Sequence, residues 1–227
     1  LKLSETFSMG VSGRYFRSNL AFTGTNSTLQ PINSFAVDVS GYYQSYEKNY
    51  GNFDGRYRIG FNIANVGPKV SYVPGEEDFI PTNLKFGGGF DFILDSYNIV
   101  SINTEFTKLL VPSPQEDGSD QEKGFISGIF SSFGDAEGGF SEELEEVTYA
   151  LGAEYLYNDA FALRLGYFHE SENKGNRKFF TMGAGFKTNA LNVDLSYLIN
   201  SSDVNNPLEN SLRFSLSFDL GEIYYDY

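Results

Sequence analysis

Apolar residues occupy every second position over stretches of about ten residues along much of this 227-residue chain. In the clearest stretch, glycine and apolar residues share one face: Phe53, Gly55, Tyr57, Ile59, Phe61 and Ile63. Because successive side chains of a β-strand point to opposite faces, this period predicts strands with one apolar and one polar face. We count roughly ten such strands, from a segment near Phe7 to the one that begins at Leu212.

Strand length and connector length distinguish two folds that share this alternation. A water-soluble β-sandwich usually has strands of about five or six residues, whereas a tilted strand needs about ten residues to cross a bilayer. Short connectors fall near 96, 158 and 188, and long ones at 65–81, at 110–146, around 174 and around 203. Outer-membrane barrels alternate short periplasmic turns with long extracellular loops in this way. The sequence therefore predicts an all-β fold, a transmembrane antiparallel β-barrel.

Aromatic residues on the apolar faces concentrate near the ends of the predicted strands. They are Tyr149, Tyr157, Phe161, Tyr167, Phe180 and Phe186. Barrels carry such aromatic girdles at the two membrane interfaces, although the same rings could form the core of a sandwich. The single histidine, His169, falls on the outward face at the end of its strand, which indicates a girdle position rather than a catalytic base.

Charge and cysteine content narrow the possible functions. The chain has 30 acidic and 16 basic residues, a net charge of −14, one His and no Cys. These numbers exclude a thiol enzyme and a cysteine metal site, and the acidic balance argues against contact with nucleic acid. An enzyme acting on lipid A would need a reactive Ser, His or carboxylate group at the barrel rim, and the position of His169 disfavours it. We predict a protein that is not an enzyme, with no catalytic residues, no metal ligands and no cofactor.

One ion pair on the polar faces follows from hairpin geometry. Charged residues on these faces would point into the barrel lumen, where they must be paired or hydrated. Keeping Tyr157 and Phe161 both on the outer face requires a hairpin loop with an odd number of residues, 158–160. This register sets Glu154 directly opposite Arg164.

A second pair is less defined, because the turn between the two strands is longer. Similar reasoning brings Asp38 near Arg56 or Arg58, with the register left open. The lumen charges could line a polar translocation path or form a salt-bridge lattice that stiffens a small lumen. Charges of both signs are interleaved with Gly and Ser, which favours the lattice.

The long connector 110–146 combines an acidic tract with an apolar segment. Five apolar residues have the spacing of one side of a short helix: Phe125, Ile126, Ile129, Phe130 and Phe133. An apolar helix face outside the cell has to be buried, either as a lid on its own barrel or against another protein. Further on, Ser141 is predicted to cap an acidic helical turn. Acidic clusters in the long connectors could hold divalent ions shared with lipopolysaccharide, but solvated, mutually repelling carboxylates are the simpler interpretation.

Several strings of the sequence resemble the PorV family, and the likeness extends through nearly all of the chain. They are GFNIANVGPKVSY at 60–72, IPTNL at 80–84, GIFSSF at 128–133 with GGF at 138–140, and NPLENSLRF at 206–214. The resemblance implies a fold similar to that of the fatty-acid transporter FadL, a barrel of about fourteen strands. About ten are visible here, so we expect residues 1–227 to be the C-terminal part of a single outer-membrane barrel, with Leu1 an internal start.

The resemblance also implies a role in the type IX protein secretion system of Gram-negative bacteria. Proteins of this family bind secreted proteins through their C-terminal signal domain at the translocon barrel SprA, also called Sov. They then deliver them to the cell-surface attachment complex that contains PorU. We therefore expect an integral outer-membrane protein in contact with lipid and lipopolysaccharide, with its long loops extracellular and 110–146 as the candidate contact with the translocon. The alternative is a FadL-like transporter of hydrophobic small molecules.

Overall fold

The structure, a computed structural model, describes residues 1–20, 29–115, 117–204 and 206–218. Its strands are β1 (Phe7–Ser18), β2 (Ile32–Gln44), β3 (Lys48–Asn49), β4 (Asp54–Val66), β5 (Asn83–Ile93), β6 (Asn98–Leu109), β7 (Val147–Tyr157), β8 (Phe161–His169), β9 (Lys178–Lys187), β10 (Leu191–Asn200) and β11 (Leu212–Phe218). Three short helices, α1 (Ser119–Glu122), α2 (Phe125–Ser131) and α3 (Phe140–Glu145), lie between β6 and β7, and a 3₁₀ turn spans Glu172–Lys174.

The strands form one antiparallel sheet in the order β1-β2-β4-β5-β6-β7-β8-β9-β10-β11, with the two-residue β3 paired to β4. Each long strand therefore neighbours the next one along the chain, which is the up-and-down order of a barrel. Among the described strands, the order ends at β1 and β11, and the sheet is not closed. The all-β, antiparallel prediction is confirmed, and the ten strands of this path agree with the number expected.

The lengths of the strands and connectors also agree with those predicted from the sequence. Apart from β3 and the seven-residue β11, the strands have 9 to 13 residues. The connectors on one side are 45–53, 94–97, 158–160 and 188–190, and those on the other are 19–31, 67–82, 110–146, 170–177 and 201–211. In the described part of the chain, no helix is long and apolar enough to cross a membrane.

Burial along the strands is the reverse of that in a water-soluble sheet. On β2, Ser34 and Asp38 are buried, whereas Phe35 is 60% exposed. The same inversion leaves large apolar side chains of other strands exposed, among them Val11, Tyr15, Ile59, Phe86, Ile102, Leu163, Leu165 and Phe214. A sandwich would bury its apolar face and expose its polar face. This distribution favours strands whose apolar face meets hydrocarbon.

Contacts divide the chain into two compact units. The first comprises Leu1–Tyr43, Ile59–Gly87 and Phe106–Val147. It contains a small apolar core in which Ile32 and Ala36 of β2 pack with Val70 and Ile80 of the connector 67–82. The β1–β2 register runs from Phe7 opposite Tyr43 to Ser18 opposite Ile32, so this core lies at the end of the pair where the long connectors emerge.

The second unit comprises Gln44–Arg58, Gly88–Glu105 and Thr148–Tyr227. Its aromatic rings meet near the ends of its strands. At one end, Phe161 and Phe186 lie with ring centroids 4.8 Å apart. At the opposite end, Tyr167 lies 4.8 Å from Phe180, and Tyr149 stacks on His169 at 4.7 Å. His169 therefore lies among aromatic rings at the end of its strand, as the sequence indicates. Its Nδ1 is 3.2 Å from the Tyr167 hydroxyl.

Gly67 provides a test of the packing in the first unit. A Cβ at this position would lie 2.3 Å from the carbonyl oxygen of Phe35 and 2.9 Å from Ile80, so backbone would have to move. We expect Gly67→Ala to lower the free energy of unfolding by about 1–3 kcal/mol, measured by urea unfolding in detergent micelles. Gly13→Ala is the matched control, because a Cβ there meets nothing within 4 Å. Equal stability of the two variants would contradict this account.

Candidate partner-binding loop

The connector 110–146 is folded onto its own unit and fixed at its base. Leu110 donates its backbone N–H to the carbonyl of Thr82 (2.7 Å) just beyond the end of β6. The predicted short apolar helix corresponds to α2 and the predicted acidic turn to α3, and α1 is a further short helix before them. Glycines at 118, 124, 134, 138 and 139 separate the three helices. Gly118 and Gly139 have φ values of 71° and 68°, in the left-handed region that glycine adopts readily.

A buried ammonium group connects β6 to the far end of this loop. Lys108, 8% exposed, donates to Glu143 (2.9 Å) and to Glu146 (2.7 Å). The second oxygen of each carboxylate is also used, since Glu143 accepts from the backbone N–H of Ala136 and Glu146 accepts from Ser113. One lysine therefore pairs with two acids and holds α3 against the strand that precedes the loop.

The middle of the loop is closed by a second set of polar contacts. The side chain of Gln115 donates to the carbonyl oxygen of Asp135 (2.9 Å), and its backbone N–H donates to the buried Asp120 (3.1 Å). The carboxylate oxygens of Asp135 are buried without a hydrogen-bond donor. The ammonium group of Lys123 lies 3.8 Å away and compensates their charge.

Helix α2 docks through its smallest residue. Gly128 is buried, and a Cβ there would lie 2.6 Å from the ring of Phe79 and 3.2 Å from Pro112. The ammonium group of Lys69 also lies over that ring, 4.4 Å from its centroid, and donates to the backbone carbonyl of Gln121. The buried Ser132 follows the helix on the same inward side. The attachment therefore uses small and polar groups.

Two of the four large apolar side chains of α2, those of Ile126 and Phe130, are directed away from the surface on which the helix packs. Of the five predicted site residues, Ile126, Phe130 and Phe133 are exposed by 57%, 73% and 52%. Phe125 and Ile129 are half-buried. Because α2 ends at Ser131, Phe133 follows the helix, so the expectation of five residues on one helical side is corrected.

Sequence reasoning missed two exposed residues of α3. Phe140 is 78% exposed and Leu144 is 58% exposed, and their spacing of four residues places them on one side of the helix. The four-residue spacing of Phe140 and Leu144 is the sequence signal for this side. It is weak, because the residues between and after them are mostly glutamates. We use "loop patch" for the set Ile126, Phe130, Phe133, Phe140 and Leu144.

The predicted helix cap in this segment is wrong. Ser141 lies inside α3, and Gly139 occupies the cap position without a side-chain hydrogen bond. Glu142 takes over part of that role by accepting from the backbone N–H of Gly138 (2.8 Å). A carboxylate at the start of a helix is favourable, because it satisfies free N–H groups there.

On the polar face of the second unit, the predicted register is confirmed. Glu154 lies directly opposite Arg164 and accepts from its Nε at 2.5 Å. Arg164 also reaches past β9 to Asp194 of β10. It can do so because Gly185 lies between them, where a Cβ would be 2.7 Å from the Asp194 carboxylate. The predicted pair is thus part of a three-residue ion-pair network.

The predicted partner of Asp38 is wrong. Asp38 accepts from Arg14 of β1 and from the backbone N–H of Asn65 (2.8 Å). Arg56 and Arg58 instead donate to Asp91, at 3.0 and 2.5 Å. The turn 45–53 separates β2 from β4 and contains the short strand β3. The length of this turn therefore does not determine which residues of β2 and β4 face each other.

Asp91 is one of the most buried side chains of the described chain, with 2% exposure. Besides the two arginines, it accepts from the Ser101 hydroxyl at 2.7 Å. Arg58 extends the network to Asn103 (3.0 Å), for which Gly89 leaves space, since a Cβ there would lie 2.2 Å from the Asn103 amide oxygen. The glycines of β5 therefore serve close strand contacts.

In these networks, each charged side chain lies beside a group of opposite charge. Arg164 and Asp91 each bind two groups of opposite charge, which is the arrangement of the predicted salt-bridge lattice. Among the described residues, no group of three or more His, Asp and Glu side chains is placed to hold a metal ion. The exposed apolar side chains of the loop patch lie outside the strands, in the connector 110–146.

A further ion pair lies in the connector 170–177. Glu170 is buried and accepts from Nε and Nη2 of Arg177, both at 2.7 Å. The hydrogen bonds from the Arg177 side chain hold the pKa of Glu170 below its usual value, although burial acts in the opposite direction. The Arg177 guanidinium also lies 5.8 Å from the ring centroid of Phe168. This connector is therefore ordered by one bidentate pair.

A meander of long antiparallel strands with exposed apolar faces and paired polar faces defines the class of outer-membrane β-strand proteins. A family model described as "Type IX secretion system protein PorV" matches residues 1–116, about half of the chain. The chain belongs to this family and is a component of the type IX secretion system, with partners within that system. No curated protein matches the chain. The match ends before α1, so the loop patch and β7 to β11 lie beyond the matched residues.

The Lys108 ion pairs should control the opening of the loop. Lys108→Met would leave Glu143 and Glu146 without a cation, at a cost of about 3 kcal/mol. Trypsin can cleave the segment 110–146 only after Lys123, its single basic residue. We expect this cleavage to accelerate by about a hundredfold, because each 1.4 kcal/mol is worth about a factor of ten. Lys187→Met is the control on an exposed lysine, and an unchanged rate in Lys108→Met would disprove the anchor.

The ion pair between Glu170 and Arg177 should make the stability difference between the wild-type protein and the variant Glu170→Gln depend on pH. Because the folded-state pKa of Glu170 is below its ordinary value of 4.5, its contribution is present above that pH. The contribution is lost as the pH falls through the lowered pKa. We expect Glu170→Gln to cost about 1 kcal/mol at pH 7, since Arg177 is largely solvated, and progressively less in acid. Urea unfolding of the wild-type protein and of Glu170→Gln, from pH 7 into acid, measures this difference. A stability difference that does not change with pH would refute the prediction.

Proposed function

We propose that the chain is an outer-membrane barrel that binds secreted proteins through their C-terminal signal domain at the translocon SprA (Sov). It then shuttles them to the attachment complex that contains PorU. In this proposal, residues 1–227 belong to one integral barrel of the Gram-negative outer membrane. The apolar strand faces contact lipid and lipopolysaccharide, and the long connectors, 110–146 among them, are extracellular. Family membership supports the secretion system, and the loop patch supports a role based on contact.

The observation that carries the proposal is the orientation of α2. A lid would turn its large apolar residues inward, onto its own chain. Here Gly128 and Ser132 occupy the inward side, while Phe130 is 73% exposed. The sequence alone does not distinguish a lid on the barrel from a docking site. The orientation of α2 favours docking on another protein.

The size of the loop patch is appropriate for such a contact. Complete burial of a large apolar side chain is worth about 1.5–3 kcal/mol, so five half-exposed side chains would contribute on the order of 5 kcal/mol. Part of this offsets the loss of rotational and translational freedom on association. Exposed aromatic side chains held on an ordered scaffold lose little further entropy on binding, which makes Phe130 and Phe140 the strongest anchor candidates.

Transport of a hydrophobic small molecule is the less favoured alternative. A lumen that admits such a molecule would be lined by apolar side chains. The polar strand faces instead carry the networks around Asp91 and Arg164. Their carboxylates are neutralised by arginine, which also supports a role in contact over one in catalysis.

The loop patch can be tested in cells that use this secretion system. We expect the combined variant Ile126→Ser, Phe130→Ser and Phe133→Ser to co-purify at least tenfold less translocon from solubilised outer membranes, because loss of each anchor costs more than 1 kcal/mol. Proteins with the C-terminal signal domain should then accumulate in the periplasm. The readouts are immunoblots of the purified complex and of periplasmic extracts.

A matched control uses exposed apolar residues of another long connector. Val204 and Leu208 in 201–211 are 42% and 47% exposed. Val204→Ser with Leu208→Ser removes exposed apolar side chains from this other connector and should retain the translocon. Recovery of the translocon at the wild-type level with the loop-patch variant would contradict the proposed contact.

A further inference from the structure

The loop patch lies within the most acidic segment of the chain. Residues 110–146 contain 10 of the 30 acidic residues and a single basic one, Lys123. Three of these acids already lie beside a lysine, and Asp120 is buried. Lys108 binds Glu143 and Glu146, and Lys123 lies near Asp135. The charge that a binding partner would meet is therefore carried by the remaining acids.

Two of the remaining acids bracket the apolar segment of the loop patch. Glu122 ends α1, four residues before Ile126, and Glu137 follows Phe133 by four residues. Both are exposed, and within the described residues neither carboxylate makes an ion pair or a hydrogen bond. Unlike Asp117, whose carboxylate accepts from the backbone N–H of Ser119, they have no local function. Their charges are available to a partner.

Two kinds of surface could cover exposed aromatic residues on an extracellular loop. One is the outer leaflet of the membrane, where apolar side chains insert between lipids. Membrane-surface segments of this kind have basic residues beside their apolar face, because lipid head groups are anionic. Glu122 and Glu137 would repel such a surface. The charge pattern therefore disfavours lipid and favours a protein.

We propose that the loop patch is covered by a protein surface with an apolar centre and Lys or Arg residues at its border, where they face Glu122 and Glu137. This inference rests on the proposed function and specifies the chemistry of the partner at that site. The apolar side chains supply the affinity, and the two carboxylates accelerate the encounter and select the partner by charge. Rim charges act mainly on the association rate and lose effect as salt screens them.

The covering surface can be identified directly by photo-crosslinking. Phe130 and Leu144 would be replaced, one at a time, by benzoylphenylalanine in otherwise unchanged cells, and the adducts would be mapped by mass spectrometry. We expect adducts on a protein segment that contains apolar residues and at least two Lys or Arg residues. Adducts on lipopolysaccharide or phospholipid would overturn the inference, as would adducts on a protein segment without basic residues.

Charge variants separate this inference from the proposed function. In the purified complex with the translocon, Glu122→Gln with Glu137→Gln should slow association by roughly tenfold at low salt and by much less in 0.5 M NaCl. The control, Asp203→Asn with Glu209→Gln, removes the same charge from the connector 201–211 and should leave the rate unchanged. A loss of binding in the loop-patch variant together with a wild-type association rate of the charge variant at low salt would refute the inference alone. Retained binding in the loop-patch variant would refute the proposed function.

Discussion

The charged side chains that meet across these strands are paired with the opposite charge, and the most buried of them, Asp91, is 2% exposed. An unpaired charge away from water costs several kcal/mol, so the burial of Asp91 requires its arginine partners. Asp91 meets Arg56 and Arg58, and Arg164 meets Glu154 and Asp194. The exposed apolar side chains on the opposite faces, the long strands and the aromatic clusters at their ends all agree with that inverted arrangement.

The same principle organises the connector between β6 and β7. Lys108 is buried against Glu143 and Glu146, and Gly128 lets α2 approach the ring of Phe79. Because charge pairs and small residues supply much of the attachment, the large side chains of Ile126, Phe130 and Phe133 are left exposed. They remain available at the surface, which connects the local packing to the proposed contact with a secretion partner.

Much of the fold could be predicted from the sequence, and so could part of the candidate site. The period of two identified the strands, and the three-residue hairpin at 158–160 determined that Glu154 faces Arg164. The partner of Asp38 could not be predicted, because the turn 45–53 has no fixed geometry in the sequence. Phe140 and Leu144 were missed, since an apolar pair among glutamates is a weak signal.

The sequence by itself determined which residues share a strand face and which connectors are long, because side-chain alternation and chain length are local properties. Only the tertiary structure decided which carboxylate each arginine meets and which side of α2 is buried. Both depend on segments far apart in the chain, such as Arg58 with Asp91 and Gly128 with Phe79, whose approach is determined by register and packing. The exposure of the loop patch, on which the proposed function depends, is therefore a property of the fold.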